Sequence, residues 1–561
     1  MIRKPSRLFI VGGGEISSTE GTTQGDPLAM PFYGISMRPL INKLDYLSTK
    51  IHQVWLADDA TGAGILENLK KWWDLVAEEG KKYGYVVKPS KSWLILKDKN
   101  KQEMAELLFE NTNIQITTEG KRHLGAALGT QEFKMEYIEE KVEKWCNRIR
   151  KLAVIAKSQP QTAFAGFIHG EQHKYTYFLR TLHNISDALK PLDNIIESEF
   201  LPSLFGTNIS ANEREIMSLP IKDGGLGLRV LNKTANEAYE DSRKITRPLT
   251  HQITQQIQEL PNEDDVKQAR SETLASMKER AAEKQTSLLS TQTPEMKRTI
   301  EQLSAPGASA WVGALPLRDQ GFNLNKSEFN DALCLRYDKP LKNLPSKCAC
   351  EKPFTITHAM NCNRGGFVNS RHNSIRNFEA GLLKEICYDV QTEPPLQPVG
   401  ARKFLPSVNV TDNARSDVRA RGFWREGQHA FFDICVTNAD CESQEDKSIK
   451  SVLRSHEMKK KRQYNTRIME VEQGTFTPIV LTVKGVMGPE ATRYHKILAE
   501  KLSTRSGERY DDVLRLMRIK VSFLVLRASL MCLRGSRTVY NPSGESCEDF
   551  ALTLNEIGTR R

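Results

Sequence analysis

The sequence predicts a multidomain chain that combines α/β units with helical ones. Three observations carry this. Apolar runs of strand length between turn residues recur near both ends; a helical pattern runs from Phe133 to about Leu204; and three of the ten cysteines fall within fifteen residues, around a histidine. A chain of 561 residues with 39% hydrophobic residues can supply about two to four cores. Lys+Arg 80 against Asp+Glu 69 gives a net charge of +11, and residues 449–520 hold sixteen basic and eight acidic residues. That local excess points to a polyanionic partner.

The composition also excludes classes. The most apolar stretch, Val521 to Leu533, is interrupted by Arg527 and falls short of the roughly 20 residues a membrane span needs. The basic start, Met1 to Arg7, leads into too few apolar residues for a signal-peptide core. An intracellular protein of nucleus and cytoplasm is therefore expected, without a membrane partner. The cysteines suit a reducing compartment and one metal site better than a disulfide framework.

In chain order, Leu8 to Val11, Val54 to Ala57 and Trp93 to Leu96 read as strands, with a helix around Ile65 to Glu79, giving an α/β unit over 1–130. Gly12-Gly13-Gly14 lacks a following Gly-Lys-Ser/Thr and reads as a tight turn. A helical region follows over 131–230. Residues 231–305 are polar, almost without aromatics, and read as exposed helices or a linker. Residues 306–375 hold a helix from Leu324 to Arg336 and the cysteine cluster, 376–540 a further α/β unit, and 541–561 a tail.

Asp58-Asp59 directly follow the apolar run Val54 to Ala57 and precede Thr61-Gly62, as paired carboxylates at a hairpin tip would. Alone, such a pair is also what a plain turn looks like. The context is an ordered set: Gln24-Gly25-Asp26-Pro27 upstream, then Gly84 to Ser92 with Lys91, then Gly120 to Gly129 downstream. This set resembles the C-terminal half of the reverse transcriptase palm, and the helical region the thumb after it. The resemblance implies Asp58 and Asp59 as magnesium (or manganese) ligands, Gln24, Gly25 and Pro27 along the template and nucleotide site, and Lys91 near the triphosphate. Leu56 stands where the family carries an aromatic residue. The family's remaining metal-binding aspartate lies well before the Gln-Gly-Asp-Pro motif, whereas the residues preceding Gln24 contain no Asp. A partial palm without fingers, and an inactive polymerase, are expected.

Cys348-x-Cys350, His358 and Cys362 set one thiol pair on a turn and a His/Cys pair at helical spacing, so four soft ligands can converge on a structural zinc. Buried unliganded thiols are the alternative; Cys334, inside an amphipathic pattern, reads as core. The cluster, with Gly365-Gly366 and Arg371-His372-Asn373 after it, resembles the knuckle between polymerase and endonuclease in one class of non-LTR retrotransposons.

Arg415 to Val418 opens a short strand, Gly422 to Gly427 a turn, and His429 to Thr437 a second strand with Phe432, Ile434 and Val436 on one face and Asp433, Cys435 and Thr437 on the other. Two acids on neighbouring strands can share a hard cation. Pro478 to Val483 reads as a buried strand before a helix from Pro489 to Leu502. The arrangement resembles the restriction-like endonuclease fold, which implies Asp417 and Asp433 as magnesium ligands. Cys435 holds the position where many members carry the catalytic lysine. In the retrotransposon branch that lysine moves to the adjacent helix with a tyrosine. Lys460, four residues before Tyr464 and so on the same helix face, is the first choice and Lys461 the second. The alternative is that Lys459 to Arg462 form a solvated basic face against DNA phosphates.

The order of segments resembles the C-terminal part of a non-LTR retrotransposon polyprotein. That implies an RNA-directed DNA polymerase with a DNA-nicking endonuclease, and RNA template and target DNA as partners. The rival expectations are a stand-alone nuclease with a polymerase remnant, and a degenerate or domesticated nucleic-acid-binding protein without catalysis.

Overall fold

The computed structural model describes residues 6–18, 26–47 and 50–535. The chain is mixed α/β with small sheets, and no helix of the described residues is long and apolar enough to cross a membrane. It forms two compact units with interleaved segments: the first is Met1–Lys141, Tyr177–Ala188 and Ala235–Arg280, and the second Val142–Thr176, Leu189–Thr234 and Ala281–Arg561. The helical region expected over 131–230 is thus divided between the two units, as are the polar helices that follow it.

The elements run β1 (Ser6–Ile10), β2 (Gly14–Ser18), α1 (Ala29–Leu47), β3 (His52–Leu56), β4 (Asp59–Ala63), α2 (Leu66–Glu79), β5 (Trp93–Ile95), α3 (Gln102–Phe109), β6 (Gln115–Thr117), β7 (Gly120–His123) and β8 (Ala126–Gly129). Helices follow: α4 (Gln131–Ala156), α5 (Pro160–Gly166), α6 (Gln172–Thr181), α7 (Ser186–Ile195), α8 (Leu201–Phe205), α9 (Ala211–Ser218), α10 (Leu231–Gln255), α11 (Glu263–Ser290), α12 (Pro294–Leu303), α13 (Lys326–Arg336), α14 (Ile356–Asn361) and α15 (Phe367–Lys384). The last part holds β9 (Tyr388–Thr392), β10 (Val418–Arg421), β11 (His429–Thr437), α16 (Ile449–Glu470), β12 (Thr475–Thr482), α17 (Pro489–Ser506) and α18 (Tyr510–Arg534).

In the first unit the strands pair two by two. β1 and β2 join through Gly12 and Gly13 at φ +108° and +94°, a turn that glycine enters without steric cost. β3 and β4 form a hairpin, which α1 and α2 cover through Met37, Leu40, Leu44, Trp72 and Val76. The open edge of β3 is met by the side chain of Gln256, whose amide accepts from the Gln53 N–H and donates to the Gln53 carbonyl. β7 and β8 form a second hairpin; a Cβ on Gly129 would lie 2.3 Å from the Glu119 carbonyl oxygen, so only glycine fits there.

The second unit is built on the sheet β12-β11-β10-β9, in which β9, β10 and β11 pair antiparallel and β11 and β12 parallel, with α16 as the crossover. β11 is covered on both faces. Ala430, Phe432, Ile434 and Val436 pack with α15, α17 and α18, while Phe431 and Cys435 face clusters that include Tyr464 and Ile468, and Val452 and Leu453, of α16. Double coverage explains the nearly unbroken apolar run in this strand. The exceptions to that run are therefore informative, Asp433 first among them. α13 opens with a reciprocal capping box between Asn325 and Glu328.

Phe432 is fully buried between Phe423 and Tyr494, with ring centroids 5.5 and 5.0 Å away. Phe432→Ala should lower the stability of this unit by about 3–5 kcal/mol. Chemical denaturation of the full chain, followed by fluorescence, measures it.

Candidate functional site

Two acids, a lysine and a histidine meet at the second unit's sheet. β10 and β11 pair Val418 with Phe432, so one further step along the register sets Asp417 opposite Asp433. Facing residues in such a ladder hold their Cβ atoms about 5 Å apart. The strand expected to open at Arg415 begins at Val418, so Asp417 lies one residue before β10, where its polar groups serve other partners. Its Oδ2 accepts from the Ile434 N–H at 2.6 Å, its Oδ1 lies 3.0 Å from His372 Nε2 of α15, and its carbonyl accepts from the Glu393 N–H.

Asp433 is 4% exposed. Burial pushes its carboxyl up to about 6, with Asp417 adding to the rise and the Lys460 ammonium opposing it. Lys460 Nζ lies 2.7 Å from Asp433 Oδ2, a close ion pair. Burial works against the Lys460 ammonium, but Asp433 beside it outweighs burial and holds the amine above its ordinary value. The Tyr464 ring centroid is 5.8 Å from the same Nζ, as the one-turn spacing requires. The neighbouring lysines differ: Lys461 pairs with Glu490 of α17 at 2.5 Å, and Lys459 is exposed. Cys435, two residues past Asp433, turns toward α16 with its Sγ 3.8 Å from His456 Nδ1, and burial pushes its thiol up.

The cysteine cluster closes as its spacing predicts. A turn with Glu351 at φ +67° and a hydrogen bond from the Cys348 N–H to the Lys352 carbonyl presents Cys348 and Cys350; Thr355 caps α14, which carries His358, and Cys362 ends it. The ligand atoms of Cys348, Cys350, His358 and Cys362 all lie within 4.8 Å of one another, the one such group among the described residues. Cys348 Sγ is 3.7 Å from Cys362 Sγ, Cys362 Sγ 3.9 Å from Cys350 Sγ, and Cys350 Sγ 3.2 Å from His358 Nε2. A tetrahedron with zinc–sulfur bonds of about 2.3 Å has edges of about 3.8 Å. The cluster therefore has the size of a zinc site and could bind that ion. Cys334 lies apart, buried in α13.

In the first unit, Ala57 at φ +52° and Asp58 turn the β3–β4 hairpin, and both Asp58 and Asp59 are exposed at its tip. Tyr85 donates its hydroxyl to the Asp58 carbonyl at 3.0 Å. Burial, followed by Asp58, raises the hydroxyl pKa of Tyr33, and burial, followed by Tyr33 and the two acids, raises that of Tyr85. Neither Asp58 and Asp59 nor Asp417 and Asp433 belong to a group of three or more close His, Cys, Asp or Glu ligands among the described residues. Lys91 is exposed in a short helical turn, and Pro27 is exposed before α1. Gln24 and Gly25 lie outside the described residues.

The contact between His372 and Asp417 escaped sequence reasoning. The triplet Arg371-His372-Asn373 is noticeable, but nothing in it names a partner 45 residues away. No protein-family model matches the chain, and no curated protein matches it either.

One zinc per chain is expected. Metal analysis of the purified protein should find it, and Cys348→Ser should remove it and expose residues 340–375 to limited proteolysis, since in a small metal module binding and folding are one equilibrium.

Proposed function

We propose that the chain acts on nucleic acid as a metal-dependent DNA-nicking endonuclease through Asp417, Asp433 and Lys460, in the manner of the restriction-like nucleases of non-LTR retrotransposon polyproteins. The observation that carries this reading is the lysine. It comes from the crossover helix, not from the strand, and reaches 2.7 Å from an acid that stands opposite a second acid.

The residues fit a hard cation. Asp433 Oδ2 is buried beside the Lys460 ammonium, and the two carboxylates offer oxygen ligands of the kind magnesium or manganese prefers. Asp417 and Asp433 would hold the ion, which when bound supplies charge stabilisation at the scissile phosphate. His372 orients Asp417 by engaging Oδ1, and the Ile434 N–H fixes Oδ2; a carboxylate oxygen has a lone pair left after one such bond. Lys460, held charged by Asp433, can donate to a non-bridging phosphate oxygen or hold the attacking water. The basic excess over 449–520 favours a DNA backbone nearby.

The first unit is read as part of a reverse transcriptase palm, with an RNA template as its partner and Asp58 and Asp59 toward a metal. Since the pair gathers no third ligand among the described residues, magnesium-dependent primer extension by this chain is not expected. Extension that disappears with Asp58→Ala would overturn that.

A second reading, nucleic-acid binding without cleavage, draws on the same ion pair, because Lys460 already neutralises Asp433. Nicking of supercoiled plasmid with magnesium or manganese decides. Asp433→Asn should abolish nicking while leaving DNA binding intact or tighter. Lys460→Ala should reduce nicking far more than affinity, and Lys461→Ala, which breaks a surface pair with Glu490, should change little. His372→Ala should slow nicking about 10–100-fold, as loss of a group orienting a metal ligand does. If Lys460→Ala instead weakens binding alone and lowers the log-log salt slope by about one, the binding reading holds.

A further inference from the structure

The long connection between β9 and β10 leaves the sheet beside Asp417 and returns to it. Glu393 N–H bonds to the Asp417 carbonyl, and Pro395 and Arg415 form an isolated bridge. Its base is anchored with unusual firmness. Arg467 of α16 is fully buried, and its guanidinium donates to the carbonyls of Asn409, Thr411 and Gln397 at 2.7, 3.0 and 2.9 Å. Leu396 and Ala414, from the two arms, pack with Phe431, Ile468 and Phe476, and the Asn409 side chain donates to the Tyr464 hydroxyl at 3.3 Å. The same α16 thus carries Lys460 and, within its next two turns, the residues that hold this loop.

Between the anchors at Gln397 and Asn409 the chain projects a tip of different character. Residues 394–411 contain two cations, Arg402 and Lys403, and no acid, and four of them are proline. Arg402, Lys403 and Leu405 are exposed, Leu405 at 73%. An apolar side chain held out in water beside two cations on a stiff loop fits a groove of a polyanion better than solvent: the cations meet phosphates, and the apolar group presses against base or sugar edges. The prolines and the Arg467 anchor pay the ordering entropy in advance.

We propose that this loop is the duplex-contacting element of the nuclease site, with Arg402 and Lys403 taking two backbone phosphates beside the scissile one and Leu405 wedged into the groove. The assignment rests on the nuclease reading for the position of the scissile phosphate, while the contact itself does not need cleavage.

The test is binding of the full chain, carrying Asp433→Asn, to a labelled DNA duplex without added divalent metal, over a range of salt. Arg402→Ala with Lys403→Ala should weaken binding and lower the log-log salt slope by about two; Leu405→Ala should weaken binding with the slope unchanged. All three side chains are exposed, so thermal unfolding should not move. Unchanged affinity and slope in both variants would overturn the proposal, as would a loss seen on single-stranded RNA of the same sequence and not on the duplex. Nicking by the chain with native Asp433 is scored separately. If it fails while the loop variants still lose duplex binding, the nuclease reading falls and the loop contact stands. If it proceeds and the loop variants bind and nick normally, the loop proposal falls alone.

Discussion

Two carboxylates facing each other across neighbouring strands repel, and much of the second unit is arranged to hold them there. At about 5 Å even a well-screened pair costs on the order of 1 kcal/mol, and more as burial lowers the local dielectric. The compensation comes from three directions: Lys460 from the crossover helix, His372 from α15, and the Ile434 N–H from the strand itself. None of these partners neutralises both acids. Burial, with Asp417 adding to it, still holds the Asp433 carboxyl above its ordinary value despite a lysine at 2.7 Å. A further positive charge beside the two acids would lower that cost, and an ion pair with Lys460 already does so in part.

The same constraint ties the cysteine cluster to the acids. Arg371 is 2% exposed and pairs with no carboxylate among the described residues; it donates to the Met360 carbonyl at 3.1 Å, near the end of α14 and two residues before Cys362. The next residue is His372, on Asp417. A closed metal cluster that fixes α14 would therefore fix the start of α15, and with it the histidine that orients one acid. A buried guanidinium held by a backbone carbonyl tolerates little displacement, because losing that bond leaves its charge less solvated still.

Legibility in the sequence followed the range of the interactions. The β3–β4 hairpin, the two faces of β11, the helix from Pro489 and the cysteine cluster were all readable, since each depends on alternation, helical period or short spacing. The choice of Lys460 came from the resemblance, and the one-turn spacing to Tyr464 on which it relies is present. Its separation from Lys461 was not readable, because that depends on Glu490 of another helix. His372 and Arg467 were hidden altogether. Each acts on a partner tens of residues distant, and a buried arginine in a helical pattern looks the same as an exposed one until the loop it holds is placed.

The two acid pairs of the chain show how environment, and not motif, sets chemistry. Asp58 and Asp59 are adjacent in sequence at an exposed hairpin tip, where water screens their repulsion and neither needs a partner. Asp417 and Asp433 come from two strands and meet where one of them is buried, so repulsion and desolvation act together and demand a lysine and a histidine. The sequence pattern was the more specific at the first pair, since four ordered motifs surround it. The physical asymmetry lies at the second. A pair that water already satisfies gains little from a cation unless a third ligand completes the cage, whereas a pair with one member buried is less screened and interacts more strongly with any cation beside it. By that reasoning a cation would be held more strongly at the second pair than at the first, although fewer sequence signals announce it.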